Sequence, residues 1–499
     1  MKKLAFLVII LATVVMFYRI NRYPISFSIY EGLSGLTASK IIEGDQGIIQ
    51  RVWEKPIRNQ AGCSAGIGSA DNDIFFIFPT VLFMELFGCG DNYLTLRLTS
   101  MIYGILSVWV LYLLGAKLFN RGVGVIAAFF LATSSWALVY SRISYDVSAT
   151  ILFALLCFYL YAAIDRPNNP IGYMILGGLM GLATYFYVPV RIIFPLVLAN
   201  MILRMIFERG YFRSHYQYFI LMIACFILSL HFQGGDLSTY FVKNVPLSFM
   251  AWSKNSDMWS QLSMNIMSAY KGFFVEWGWS HSIIAERGGS FDFITGYCFL
   301  AGFIWAVLHI TKQQYRLVII WVAAVMLPMV LTSGVTRRAV LATTPIYLIA
   351  AIGIYYLFYY LTKWMGRFRE IVMAILVLAV IIPAGYLNLQ NYFGLYEKAY
   401  RDPRNVFVKR RDQRAELVRL MKDSKVYSDL FRAELGWPQG IEYEAWRIGF
   451  TKDRYELISP DQARKKFIQS MPPCALYLKN GELQVKEIPD TPQKRSNNP

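Results

Sequence analysis

The stretch RLTSMIYGILSVWVLYLLGAKLF, residues 97–119, decides the fold class. From Leu98 to Ala116 it carries no charged residue, and a helix needs about 20 apolar residues to cross the hydrocarbon core of a bilayer. Arg97 and Lys117 flank it and mark where the chain meets headgroups and water. Ten further runs of this kind centre near Ile9, Phe130, Ala154, Gly178, Val197, Cys225, Phe303, Ala324, Ala350 and Leu378, so eleven membrane-spanning helices are predicted. The chain as a whole agrees: its 499 residues are 56% hydrophobic and 16% charged, with a mean hydropathy of +0.40. That composition excludes a soluble enzyme and a disordered chain. Forty-nine Lys and Arg against 32 Asp and Glu give a net charge of +17. The basic residues lie scattered between apolar runs instead of forming one stripe, so the partner is the lipid bilayer and not nucleic acid.

The first run begins Met1-Lys2-Lys3, as a signal peptide does, but continues into Phe17-Tyr18-Arg19 without a small-residue cleavage site, and reads as a retained helix. Basic residues of short loops stay on the cytoplasmic side. With the N-terminus cytoplasmic, that side holds Lys2, Lys3, Lys117, Arg121, Arg166, Arg204, Arg209, Arg213, Lys312, Arg316, Lys363, Arg367 and Arg369. The short outer turns hold only Arg142, Arg191, Arg337 and Arg338. An odd number of spans puts the C-terminus outside. The expected location is the cell membrane, the inner one in a Gram-negative cell.

Three outer regions are too long to be turns: 21–92, 233–290 and the tail from 387. Function tends to sit on such segments, held by a rigid scaffold. Residues 1–386 read as the membrane domain. The chain becomes charged at Asn388-Leu389-Gln390-Asn391, and 387–488 read as a small extracytoplasmic α/β domain, with a helical stretch near Asp412 to Lys422 and a strand-like Ala475-Leu476-Tyr477-Leu478. Residues 489–499 read as a disordered tail. The fold class expected is an α-helical polytopic membrane protein of about eleven spans with this outer domain.

Six cysteines show no CxxC spacing and only four histidines are present, which disfavours a zinc or iron–sulfur site. Cys63 and Cys89 share one outer region, and their spacing leaves a disulfide open.

The acids of the outer regions are the candidates for chemistry. Ser28-Ile29-Tyr30-Glu31 precedes an amphipathic stretch with Leu33, Leu36, Ile41 and Ile42, which predicts a helix along the outer membrane surface with Glu31 in its first turn. Glu31 then serves either as a catalytic carboxylate or as the acid of a capping box with Ser28. Asp71-Asn72-Asp73 offers two acids for a divalent cation, or a solvated turn. Ser141-Arg142-Ile143-Ser144-Tyr145-Asp146 puts an acid at the outer face, where an unpaired charge is costly and often functional, the alternative being an Arg142–Asp146 pair that caps two helices.

Arg97, Arg142, Arg191, Arg337 and Arg338 all fall on the side that should be poor in basic residues. A planar guanidinium matches phosphate oxygens, so a convergent cluster of these would suit an anionic lipid headgroup, whereas a single one snorkels without specificity. Tyr185 and Tyr187 stand at the same interface, as belt aromatics or as platforms for a sugar ring.

The order of these features resembles one family. Tyr30-Glu31 with Glu43-Gly44-Asp45, Leu96-Arg97-Leu98 with Gly104, Tyr112-Leu113-Leu114 to Leu118-Phe119, Ser141-Arg142, Gly181-Leu182-Ala183-Thr184-Tyr185 with Arg191, and Arg338 to Pro345 look like the dolichyl-phosphate-mannose protein mannosyltransferase-like glycosyltransferases, a group that includes the bacterial transferase adding aminoarabinose to lipid A. The resemblance covers about residues 5–360. It implies the C-type glycosyltransferase fold, a polyprenyl-phosphate-linked sugar as donor, and an active site at the outer face. Such enzymes carry an Asp-Glu pair in the first loop, and here Tyr30 stands where the Asp is expected while Glu31 matches the second acid.

The expected function is therefore an inverting sugar transfer to an extracytoplasmic acceptor: a lipid, a protein or an envelope glycan. Glu31, Asp146 and Asp73 are the expected catalytic acids; Arg97, Arg142, Arg191, Arg337 and Arg338 the expected phosphate ligands; Tyr30, Tyr185 and Tyr187 the expected sugar or acceptor contacts. Asp71, Asp73 and Asp146 would hold a divalent cation, if one serves. Two other classes use the same arginines: a flippase of lipid-linked sugars, which predicts an inverted repeat that the sequence lacks, and a lipid-glycan-binding relative without activity, for which Tyr30 argues.

Overall fold

The computed structural model describes residues 2–24, 29–42, 74–88, 93–164, 169–184, 186, 188–208, 210–232, 258–274, 291–332, 340–401, 426–428, 455–457, 474–479 and 482–487. The helices are α1 (Lys2–Phe17), α2 (Ile29–Ile42), α3 (Ile74–Phe87), α4 (Leu94–Leu118), α5 (Arg121–Thr133), α6 (Ser135–Ser141), α7 (Val147–Ala163), α8 (Pro170–Ala183), α9 (Ile193–Phe207), α10 (Tyr211–Phe232), α11 (Met258–Phe274), α12 (Phe293–Leu308), α13 (Gln313–Thr332), α14 (Thr343–Leu361), α15 (Arg369–Leu389) and α16 (Leu395–Arg401). The chain divides into two compact units: Met1–Ile20, Cys63–Phe76 and Arg97–Leu395 form the first, and Asn21–Gly62, Ile77–Leu96 and Tyr396–Pro499 the second.

The first unit is helical. Each of the eleven apolar centres read from the sequence falls in one of its helices. Among the described residues, four stretches are long and apolar enough to cross a membrane: Leu94–Leu118, Pro189–Phe207, Val340–Leu361 and Gly366–Lys398. The pair α5 and α6 makes a fifth if a span bent by 61° is counted, and six shorter apolar helices accompany them. The bend falls at Ser134, whose extended backbone ends α5 and caps α6 through Oγ, which accepts from the Ala137 N–H.

Packing within the unit is close where glycine faces backbone. α12 lies on α14 with Gly302 against Gly353 and the carbonyl of Ile349; a Cβ built on Gly302 would stand 1.8 Å from that oxygen. Gly115 of α4 and Gly124 of α5 meet in the same way. Small residues allow helices to approach closely where lipid supplies no hydrophobic drive.

Contacts between helix ends define the unit's two ends. The turn after α6 meets the last turn of α1 through Arg142, and the residue after α9 meets the start of α13 through Glu208 and Arg316. One end thus gathers residues 15–20, 142–147 and 184–193, and the other gathers 204–211, 308–316 and 361–369.

In the second unit, α2 forms where a helix was expected, with Glu31 in its first turn. Glu31, Gly32, Ser34, Gly35, Thr37, Ala38, Ser39 and Ile41 are all buried. Arg22 pairs with Glu397 at 3.0 Å, and Glu397 also accepts from Arg401. Strand β1 (Val426–Ser428) pairs in parallel with β2 (Tyr455–Leu457), and β3 (Cys474–Lys479) pairs antiparallel with β4 (Glu482–Glu487). β3 covers the stretch read as strand-like. The helix expected near Asp412 to Lys422 lies outside the described residues. Helix also continues through the change of composition at Asn388, as α15, a π turn over Gln390–Gly394 and α16.

Candidate active site

Two buried arginines of the first unit converge on the end of α1 and the residues that follow it. Arg97, in the first turn of α4 and 1% exposed, donates from Nη1 to the Ile20 carbonyl at 3.1 Å. Arg142, the residue that closes α6, is fully buried. Its Nη1 donates to the carbonyls of Val15 and Met16, the latter at 2.8 Å, and its Nη2 to that of Tyr18 at 2.6 Å. The last carbonyls of a helix lack intrahelical partners and carry a partial negative charge, so Arg142 caps α1. Tyr392 and Phe393 flank the guanidinium at 5.5 and 5.0 Å from ring centre. Arg142 therefore holds the end of α1 through the carbonyls of Val15, Met16 and Tyr18, whereas the expected alternative had paired it with Asp146.

Asp146 closes the same turn at the start of α7. Ser100 of α4 pins the turn by donating to the Tyr145 carbonyl and accepting the Tyr145 N–H at 3.1 Å. The Asp146 side chain is 5% exposed, and its Oδ1 has no hydrogen-bond partner. Burial pushes the carboxyl up to about 7, an effect that the backbone N–H groups of Asp146 and Val147 only partly offset. A buried carboxylate oxygen without a donor is costly and is what a proton acceptor or a cation ligand requires.

Arg191, half-buried in the 3-10 turn Val188–Ile192, donates from Nε to the Thr184 carbonyl at 3.4 Å. It shares this end of the unit with Asp146. Glu31 of the second unit sits in the first turn of α2 and is fully buried. Asp71, Asp73, Tyr185, Tyr187, Arg337 and Arg338 lie outside the described residues, as do Ser28, Cys63 and Cys89, and the Tyr30 side chain is likewise not described. Among the described residues no group of three His, Cys, Asp or Glu stands ready for a metal ion. Asp146 alone offers one hard oxygen ligand, which is too little to define a metal centre.

The sequence did not disclose a polar network behind this end. Asp292, which caps α12, accepts from the Thr295 N–H at 2.9 Å, from the Thr295 hydroxyl, and from Asn388 Nδ2 at 2.6 Å. Asn388 Oδ1 accepts from Ser135 at the start of α6, and Tyr347 donates to Ser134 at the bend. The signals were present: an acid three residues before Thr295 at the head of an apolar run, and an Asn near the end of another.

With this geometry in view, comparison with known proteins gives the class. A family model described as Dolichyl-phosphate-mannose-protein mannosyltransferase matches residues 74–232. The chain is a multi-pass membrane protein with the C-type fold of membrane glycosyltransferases, and the resemblance read from its motifs is the one the family model finds. Two solved relatives give the likeness its particulars. The crystal structure of the Archaeoglobus fulgidus oligosaccharyltransferase complex with zinc and sulfate superposes with a TM-score of 0.57 at 13% identity, over 90% of this chain. The chain spans only 57% of the length of that protein. Apo ArnT from Cupriavidus metallidurans superposes with a TM-score of 0.55 at 12% identity, over 94% of this chain and 92% of its own, and its complex with undecaprenyl phosphate with a TM-score of 0.51 at 11% over the same shares. No curated protein matches by sequence.

Proposed function

We propose that the protein is a membrane glycosyltransferase that moves a sugar from a polyprenyl-phosphate donor to an acceptor on the outer side of the membrane, with inversion at the anomeric carbon. The observation that supports this above the others is the convergence of Arg97 and Arg142 on residues 15–20, at the same end of the unit as Asp146, whose Oδ1 has no hydrogen-bond partner. A neighbour of the same fold was crystallised with undecaprenyl phosphate. Eleven crossings, a cytoplasmic N-terminus and an outer tail complete the arrangement, with residues 1–386 carrying the transfer and 387–488 helping to choose the acceptor.

In the reaction a carboxylate takes the proton of an acceptor hydroxyl or amine as its oxygen or nitrogen bonds to the anomeric carbon, and the sugar–phosphate bond breaks with its electron pair leaving on the phosphate. A phosphate departs as a stable anion, so the site needs positive charge and not the second, protonated carboxyl of a glycoside hydrolase. Glu31 is our first choice as base, with Asp146 and Asp73 the other acids. Arg97, Arg191, Arg337 and Arg338 would hold the phosphate. Arg142, whose Nη groups are committed to α1, acts through its charge in a medium where charge is little screened. Tyr30, Tyr185 and Tyr187 would contact sugar or acceptor. A divalent cation, when bound, would supply further positive charge, with Asp146, Asp71 and Asp73 as its ligands.

The test is donor turnover in liposomes with a panel of polyprenyl-phosphate sugars, water or cell extract serving as acceptor. Consumption of one donor, with loss of turnover in Glu31→Gln and weakened donor binding in Arg97→Ala, supports the proposal. Donors that bind without any turnover would overturn it in favour of a binder or transporter.

A further inference from the structure

The end of the first unit away from Asp146 carries a second cluster of buried charge, which sugar transfer does not use. Arg204, in the last turn of α9, donates from Nε and Nη2 to Glu208 at 2.9–3.1 Å and from Nη1 to the Tyr211 hydroxyl at 3.2 Å. Its guanidinium lies 4.0 Å from the Tyr211 ring centre. Arg316, in the first turns of α13, reaches the same Glu208 only at 3.7 Å. Its Nη1 makes a long bond of 3.4 Å to the Thr311 carbonyl, and its buried Nε has no partner.

Both arginines are at least nine-tenths buried, at 6% and 5% exposure, while Glu208 between them is 36% exposed. Arg316 is thus buried with one long ion pair, one long hydrogen bond and an Nε that finds no partner, which is expensive in a low-dielectric setting. The position of Arg316 makes matters worse. The start of a helix carries partial positive charge and unpaired N–H groups, and α13 has no acid in its first turn. Lys312 and Arg213 add exposed positive charge at the same end. A structural clamp between α9 and α13 needs only Glu208 and the near Nη2 of Arg316; it does not account for the unpartnered Nε. An anion seated at the head of α13 accounts for it, because helix N–H groups and a guanidinium together form a phosphate site.

The surroundings identify the anion's carrier. Phe207, beneath Arg316 at 5.0 Å from its guanidinium, is 65% exposed, and Ile206 and Ile202 are 69% and 46% exposed along α9. An apolar strip leading away from a buried cation at a membrane surface matches a lipid, whose chains follow the strip while its phosphate meets the arginine. We propose that Arg316, supported by Arg204 and the first turn of α13, binds the phosphate of an anionic phospholipid at the end of the bundle opposite Asp146.

The full-length protein in neutral detergent tests this by its melting midpoint under titration with phosphatidylglycerol, phosphatidylcholine or inorganic phosphate. Phosphatidylglycerol should raise the midpoint well above phosphatidylcholine. Its apparent affinity should fall roughly 10-fold or more in Arg316→Gln, the loss expected of a charge-assisted hydrogen bond, and by less in Arg316→Lys, which keeps the charge without the fork. An equal response to inorganic phosphate would support the site with a soluble anion as its source. Equal midpoints in both lipids with no effect of phosphate, or an undiminished phosphatidylglycerol response in Arg316→Gln, overturns the proposal. If the glutamine variant does not fold, the wild-type comparison and native mass spectrometry of co-purified lipid decide alone. None of these readouts depends on sugar transfer.

Discussion

Asn388 donates to Asp292 at 2.6 Å across 96 residues of chain, and with Ser135 on its other side it joins the cap of α12, the end of α15 and the start of α6. All three residues are buried. Leucine at 388 would leave the Asp292 carboxylate short of a donor inside the bundle. Asn388→Leu should therefore cost about 2 kcal/mol, within the range for a lost hydrogen bond to a charged group, seen as a lower melting midpoint in detergent. Asn388→Asp should be worse, since it sets two acids face to face.

Glycine packing gives a sharper contrast. A methyl at Gly302 would fall 1.8 Å from the Ile349 carbonyl, and one at Gly353 would fall 2.4 Å from that of Cys298. Neither backbone can yield without separating α12 from α14, so Gly302→Ala and Gly353→Ala should each cost about 3 kcal/mol or more, beyond ordinary overpacking. Gly178 faces open space, and Gly178→Ala should gain up to about 1 kcal/mol from helix propensity. Melting midpoints of the three variants check the pattern.

Arg142 should tolerate no substitution well. Its fork meets three carbonyls of residues 15–18 at once, a geometry that a lysine ammonium cannot reproduce. Arg142→Lys should lower the melting midpoint, and hydrogen exchange should report early opening of the amides at the end of α1.

Hydropathy made the helices legible, because each apolar centre falls inside a helix of the first unit. Arg97, Asp146 and Glu31 were legible as charges out of place. What could not be read was set by tertiary contact. Ser134 bends a span without proline or glycine, as its neighbours Tyr347 and Ala137 satisfy the break. Arg142 reads locally as a partner for Asp146, whereas the end of α1, more than a hundred residues upstream, claims it. α3 and α11 form inside stretches that read as outer regions, α3 with Pro79 in its interior. Nothing local joins Asp292 to Asn388.

The Asp146 carboxyl has a signature in stability. Burial holds it at about 7 in the folded chain against an ordinary 3.8. Between those values the folded protein keeps a proton that the unfolded chain has lost, so stability is greatest at low pH and falls as pH rises from about 4 to about 7. At about 1.4 kcal/mol per unit the full loss is about 4 kcal/mol at most. Asp146→Asn should remove this slope from a plot of melting midpoint against pH. A divalent cation bound by Asp146 would displace the proton, and its affinity should weaken below about pH 7.

The same proton separates the two described acids as bases. A general base contributes about 100-fold or more, so Glu31→Gln, which preserves shape at a fully buried position, should lower the maximal turnover of the preferred donor by that factor while leaving donor affinity within a few-fold. If Asp146 instead supports the reaction as an anion beside the phosphate end, wild-type turnover should rise through about pH 7 and Asp146→Asn should flatten that limb. The expected outcome combines the two: a large loss in Glu31→Gln with the limb near pH 7 intact, and a smaller loss in Asp146→Asn with the limb gone. A Glu31→Gln enzyme of full activity, together with an Asp146→Asn enzyme that is dead at every pH, would transfer the role of base to Asp146.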